Sequence, residues 1–492
     1  MSEIHIHEMT GNGAVLEVEP VVKVCEKLEF GKMSLPHPSP IPRPIPIPWP
    51  FLFGSRFLIW KQDPSVGIFG RRISFISGLL LNGPRDARIN TELLGSTPVV
   101  RNISGDFIVT DPNAPEADCT HSFAVVRQTL TMFERALGGL KIPWAWNTSS
   151  NTSVLTVHPR AFNGANAFYS RNQRSLKFGQ FLPTGQSNQV FTCRSLDIVA
   201  HETGHAVLDG LKPGWLGFGN PPQTGGLHES FGDLTSIFLA LSQLDQVETF
   251  IAMTKANLHA KNFLAAVAEQ FGSVLGRPMG LRNADNNLKL SQVSNEVHAI
   301  SQVFTGGIYD VLADIFAFEK MRQRVSKSAA HVLLDVGEHL LKLLLNAIIK
   351  SPDLGATYSD VVNNMLQISH DQGDPAVYRT FIRNRFSYRE VVVSTAPLAI
   401  EAMQSGQMIY DDPDFTGGKD DLKLKACFPD HPSIRGVQDR AGTCGTMQMP
   451  EYARDQRVLD ADLEDLRRSN EPISEESLLL DEVAELSEAF SK

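Results

Sequence analysis

Cysteine is scarce in this chain and is never paired at short spacing. The 492 residues hold five, Cys25, Cys119, Cys193, Cys427 and Cys444, with no C-x-x-C among them. An odd number at wide spacing excludes a disulfide frame and a zinc ribbon, so these read as free thiols. Long apolar runs are lacking too. The most apolar stretch, 331–350, is interrupted by Asp335, Glu338, His339 and Lys342, and no membrane span is expected. The opening residues Met1-Ser2-Glu3-Ile4-His5-Ile6-His7-Glu8 offer no basic segment followed by an apolar one. No secretory leader is therefore expected, which leaves a cytoplasmic location or export without a classical leader. Nor is there a basic excess. The net charge is −10, and from Glu451 onward there are 13 acidic and 5 basic residues, which leaves only −2 for the first 450. A surface for nucleic acid is excluded on that balance.

What is present is His201-Glu202-Thr203-Gly204-His205. Four helical steps turn about 400°, so the two imidazoles leave one face a turn apart, the spacing that lets both hold one metal ion. Glu202 lies about 100° round, off the ligand stripe yet near enough to take a proton from a metal-bound water. The flanking Leu196-Asp197-Ile198-Val199-Ala200 and Ala206-Val207-Leu208 read as one buried helix, the context such a motif needs.

A catalytic zinc site keeps three protein ligands and one open position. No histidine stands six residues beyond His205; position 211 is Leu211. The better source is Gly225-Gly226-Leu227-His228-Glu229-Ser230-Phe231-Gly232-Asp233. Glu229 and Asp233 share a helix face, so Glu229 can bind the metal while Asp233 accepts the outer N–H of a ligand histidine. Taken alone, a carboxylate pair at that spacing is usually a solvated face. Asp209 is a rival third ligand, since it continues the His201 and His205 stripe, although three ligands on one helix stripe would close one side of a metal poorly.

With these residues the chain resembles the thermolysin-like zinc metallopeptidases, gluzincins in which H-E-x-x-H is followed by a helix bearing a glutamate ligand and an aspartate four residues on. Further segments match in order: Asn166-Ala167-Phe168-Tyr169, Leu281-Arg282-Asn283 and Val297-His298-Ala299-Ile300-Ser301. The resemblance covers roughly 118–389. It implies that Asn166 and Ala167 sit on an edge strand that holds the substrate peptide, that Arg282 addresses a substrate carbonyl, and that His298 stabilises the tetrahedral intermediate. Without the resemblance, His298 reads as a hydrogen-bonded core histidine, Arg282 as a surface arginine and Asn166 as a turn residue. There are departures. The family's tyrosine between the second histidine and the glutamate is missing, as 210–226 contains no Tyr; Asn295-Glu296 replaces the usual glycines, and His228 stands where Asn is common. The region 234–244 lacks an acidic cluster, so calcium is not implied.

The organisation expected is an N-terminal segment 1–35, an alternating-proline spacer 36–54, a β-rich catalytic lobe 55–212 ending in the H-E-x-x-H helix, a helical lobe 213–404 and an acidic extension 405–492. Between Pro36 and Pro50 every second residue is proline, a stiff spacer of about 45 Å if fully polyproline II. Ahead of it 14–18 and 21–24 read as short strands, either structural or part of an intramolecular pro-segment. Helices are expected near 121–140, 229–244, 247–271, 297–320, 326–349, 360–370 and 375–386, with tail helices near 459–468 and 475–490. The expected class is α+β, two-lobed and thermolysin-like, with the site between lobes. The expected activity is zinc-dependent hydrolysis of peptide bonds in a peptide or protein substrate, by an endopeptidase with Glu202 as general base. The alternative is a zinc-binding module without turnover.

Overall fold

The computed structural model describes residues 54–183, 186–217, 219–268 and 280–393, together with the backbone of 443–444. Contacts divide the chain into Met1–Ile47 and Pro48–Lys492. The proline spacer, the N-terminal strands and the two acidic tail helices expected from the sequence lie outside the described residues.

The described part is mixed α and β, compatible with the α+β class, with eight helices among the described residues. Strands β1 (Gly54–Trp60) and β2 (Arg71–Ser77) form an antiparallel pair. A six-stranded mixed sheet is built from β3 (Ile89–Thr91), β4 (Leu155–Asn163), β5 (Ala167–Ser170), β6 (Ser175–Phe181), β7 (Val190–Phe191) and β10 (Thr443–Cys444). Its order is β10-β5-β6-β4-β3, with β7 also on β6. The β3–β4 and β4–β6 pairs are parallel, whereas β5–β6 and β10–β5 are antiparallel. Strands β8 (Ala266–Val267) and β9 (Arg282–Asn283) make a small third sheet.

The helices are α1 (Pro115–Ala136), α2 (Leu196–Leu211), α3 (Pro222–Leu241), α4 (Leu244–Thr254), α5 (Val297–Arg322), α6 (Ala329–Lys350), α7 (Tyr358–Asp371) and α8 (Ala376–Tyr388). α1 starts six residues earlier than the apolar pattern predicts, because Pro115 is preset for the first turn and Glu116 and Asp118 complement its N-terminus. Local chemistry marks other starts: Ser328 caps α6, and Thr357 with Asp360 closes a capping box on α7. The helix expected over 247–271 ends at Thr254 instead. Lys255 and Ala256 both adopt positive φ, and the Asn262 side chain then ties Leu258, Ala260 and Ala265 into a turn leading to β8. Apolar periodicity continued past that break because the turn's own residues are buried.

α3 is the central helix: every residue from Gly226 to Leu241 is buried, which fits an element packed on all sides. Among the described residues the main apolar core runs from Phe57, stacked on Phe107 and Phe123, through α2 and α3 to Phe386 of α8, with a small separate cluster of Ala161, Phe162 and Phe168. Among the described residues no helix is long and apolar enough to cross a membrane.

Candidate metal centre

α2 and α3 must pack closely for their polar side chains to meet, and two glycines permit it. A Cβ on Gly204 would lie 2.5 Å from the Thr235 hydroxyl, and one on Gly232 would lie 2.6 Å from the His201 ring. Cross-links fix the register of the neighbouring helices: the Ser236 hydroxyl donates to the Asp197 carbonyl at 2.7 Å, and Ser230 shares a 2.8 Å hydrogen bond with Thr305 of α5.

The close approach brings His201, His205 and Glu229 together, all of them buried. The Nε2 atoms of the two histidines face each other at 2.9 Å. Glu229 Oε2 is 3.5 Å from His201 Nε2, and Oε1 is 3.7 Å from His205 Nε2. With no ion between them the two rings can share a proton as a hydrogen bond, but two Nε2 atoms converging with a carboxylate are also a donor set that could hold a metal ion. The charge states agree. Burial resists charging Glu229, but His298 and His205 hold its pKa well below the usual range, while burial keeps His205 neutral by pushing its pKa well down. Burial also opposes charge on His201, yet Asp233 and Glu229 raise it to about 9; that negative field is the one that would favour a cation among these side chains.

Each of these two histidines has an outer partner. His201 Nδ1 lies 3.0 Å from Asp233 Oδ1, as the four-residue spacing from Glu229 predicts. Asp233 is itself gripped by Arg282, whose Nε and Nη2 reach its two oxygens at 2.8 and 2.6 Å. Arg282, expected to address a substrate carbonyl, is thus 8% exposed and has these two nitrogens committed to Asp233. His205 Nδ1 meets His228 Nδ1 at 2.8 Å, a partner the sequence did not reveal. If His205 binds through Nε2, its Nδ1 carries the proton and donates, so His228 must accept there and hold its own proton on Nε2. Burial pushes the His228 pKa down to about 3, which keeps the ring neutral and able to accept.

Glu202 is fully buried, and neither of its carboxylate oxygens has a hydrogen-bond partner. Burial raises its pKa well above the ordinary value, with His201 partly offsetting the shift. An orphaned buried carboxylate is costly, and such groups in native structures call for an explanation through chemistry or an unseen partner. His298 comes to the same place from the first turn of α5. Its Nε2 is 3.4 Å from Glu229 Oε2, and its Nδ1 is hydrogen-bonded to Glu296. Glu296 also caps α5 by accepting from the His298 and Ala299 amides, so one side chain fixes both the helix start and the ring. Glu296 was legible in the sequence as a departure from the resembled pattern, but its contact with the His298 ring was not.

Asp209, the rival ligand, is directed elsewhere. Its carboxylate accepts from the Tyr169 hydroxyl at 2.6 Å and from Arg171 Nε at 2.7 Å. This ties β5 onto the C-terminal turns of α2 and places the strand beside the ligand helix. Asn166, just ahead of β5, is 6% exposed; its Oδ1 accepts from the Ala167 amide at 2.8 Å, and its Nδ2 is buried without a partner. Ala167 begins β5 and is fully buried.

Among the described residues a second trio, His259, Asp285 and Asp310, also brings donor atoms together. Its charges are already balanced: His259 Nδ1 is 2.9 Å from Asp285, and Arg389 Nη1 is 2.9 Å from Asp310. No family model matches the chain, and no curated protein matches it.

Proposed function

We propose that the chain is a zinc metallopeptidase of thermolysin-like, two-lobed architecture, acting as an endopeptidase. The observation that carries this reading is the combination at one point of a three-donor cluster and an unpartnered buried carboxylate: His201, His205 and Glu229 with Glu202 beside them. A structural metal site has no use for a base next to its ligands, whereas a hydrolytic one requires it.

His201, His205 and Glu229 would hold the zinc, which when bound lowers the pKa of water toward neutrality and polarises a carbonyl. Glu202, engaged by no side-chain hydrogen bond, takes the proton of the attacking water and delivers it to the leaving amine. His298, oriented by Glu296, donates from Nε2 to the developing oxyanion and takes over the part of the missing tyrosine. Arg282 acts through Asp233, fixing the outer partner of His201. Asn166 offers a free amide donor, and β5 a main-chain ladder, to a peptide laid alongside.

The second reading, a zinc-binding module without turnover, draws on the absence of tyrosine between Gly210 and Gly226. Metal analysis tests the ligand set. His201→Ala, His205→Ala and Glu229→Ala should each lower bound zinc, while the wild-type chain cleaves unstructured casein. Full zinc and cleavage in Glu229→Ala, with both lost in Asp209→Ala, would overturn the third-ligand assignment. Zinc bound by a chain that cleaves none of several unstructured substrates would favour the module.

A further inference from the structure

β5, expected at a sheet edge, carries β6 on one side and β10 on the other. Among the described residues β2 pairs only with β1, and its residues Ser74 to Ser77 line a cavity of about 480 Å3. That size falls in the range of small-molecule sites. None of the metal-centre residues lines it. One wall is α1, where Arg127, Thr131 and Arg135 stand four residues apart on one face. Another is α6, with Leu334 and Leu341. The deeper lining is apolar, since Met132, Phe238, Leu239 and Leu341 are all buried. The charges around the cavity are compensated with one exception. Lys61 is paired with Asp245 at 3.2 Å, Arg127 with Asp86 and Glu134 at 3.7 and 3.4 Å, and Glu338 with Lys342. Arg135, exposed in the last turn of α1, has no ionic partner among the described residues.

We propose that this cavity binds a small monocarboxylate with an apolar body, its carboxylate on Arg135 at the mouth and its body against Met132, Phe238, Leu239 and Leu341. An alkyl or aryl group entering the buried end gains about 25 cal/mol for each Å2 removed from water. The one uncompensated guanidinium sets the ligand's charge. Its planar fork matches a carboxylate through two parallel hydrogen bonds, whereas a phosphate dianion would leave one charge unmet. Phe75, 57% exposed beside the cavity, supplies an apolar ring on the entrance side. The site goes beyond the peptidase reading and does not depend on it.

Isothermal titration calorimetry on the full chain, with octanoate, octanol and octyl phosphate as probes, tests the proposal. Octanoate should bind at one site, and Arg135→Gln should weaken it about tenfold or more while leaving octanol binding unchanged. Arg135→Lys, which keeps the charge without the fork, should fall between. Thr131→Trp sets an indole into the cavity from the α1 wall and should abolish binding of both octanoate and octanol, with circular dichroism to check that the fold is kept. Should that variant not fold, the Arg135 comparison alone decides. No binding of octanoate to the wild type, or equal octanoate affinity in the wild type and Arg135→Gln, would overturn the proposal. Full octanoate binding by a folded Thr131→Trp would place the ligand elsewhere and overturn it as well. Tighter binding of octyl phosphate than of octanoate would overturn the carboxylate assignment. No readout here involves cleavage, so failure of this site leaves the peptidase reading standing, and failure of that reading leaves this site standing.

Discussion

Gly232→Ala tests the packing that assembles the metal centre. In a helix interior this substitution ordinarily stabilises by about 1 kcal/mol, because alanine loses less backbone freedom than glycine. Here the added methyl would stand 2.6 Å from Cε1 and Nδ1 of His201. That is about 1 Å inside ordinary carbon contact. The ring has nowhere to retreat, as its Nδ1 is held 3.0 Å from Asp233 and its Nε2 faces His205 at 2.9 Å. Overpacking costs about 1–3 kcal/mol, and a strained hydrogen bond to a charged partner about as much again, so the penalty exceeds the propensity gain. A net loss of about 1–5 kcal/mol is expected, and since loss of an outer partner lowers metal affinity about 10- to 100-fold, zinc should fall as well. Thermal unfolding followed by circular dichroism and zinc content after dialysis against a weak chelator are the assays. An unchanged or raised midpoint with full zinc would refute the reasoning, because the ring would then be free to move and α3 would not be what positions it.

The remaining outcomes follow from single contacts. His228→Asn, which keeps an acceptor for His205 Nδ1, should retain zinc, whereas His228→Leu should lose about 10- to 100-fold in affinity with the fold intact; equal zinc binding by both, measured by competition with a chromogenic chelator, would dismiss the His205–His228 hydrogen bond. Asp209→Asn should leave zinc content unchanged but lower stability by about 1–3 kcal/mol, since Arg171 loses its carboxylate while Tyr169 keeps an acceptor; denaturant unfolding without a shift in midpoint would contradict that. Glu296→Gln should keep zinc and reduce kcat more than KM, because a weaker acceptor leaves the His298 ring less well oriented; an unchanged pH profile and kcat would remove Glu296 from the account.

The parts of the site legible in the sequence were those carried by local spacing. His201 and His205 fall on one turn of α2, Glu229 and Asp233 on one turn of α3, and the apolar flanks of both helices mark them as buried. What escaped was set by contacts across long separations, which leave no periodic trace. Arg282 meets Asp233 from 49 residues away, and Tyr169 meets Asp209 from 40. The His228 ring lies one residue before Glu229, yet its partnership with His205 depends on how closely α2 and α3 approach, which Gly204 and Gly232 decide. The early end of α4 was hidden because positive φ at Lys255 and Ala256 is not a residue preference. The pairing of 443–444 with β5 joins segments more than 270 positions apart, and nothing in either marks the other.

The most direct measurement is casein cleavage by the wild-type chain and by Glu202→Gln at equal zinc content. An amide has the size of the carboxylate but cannot take a proton, so Glu202→Gln should bind zinc as well as the wild type and lose cleavage by about 100-fold or more. Comparable cleavage by the two would contradict the account, because the buried carboxylate beside the ligands would then have no part in the reaction.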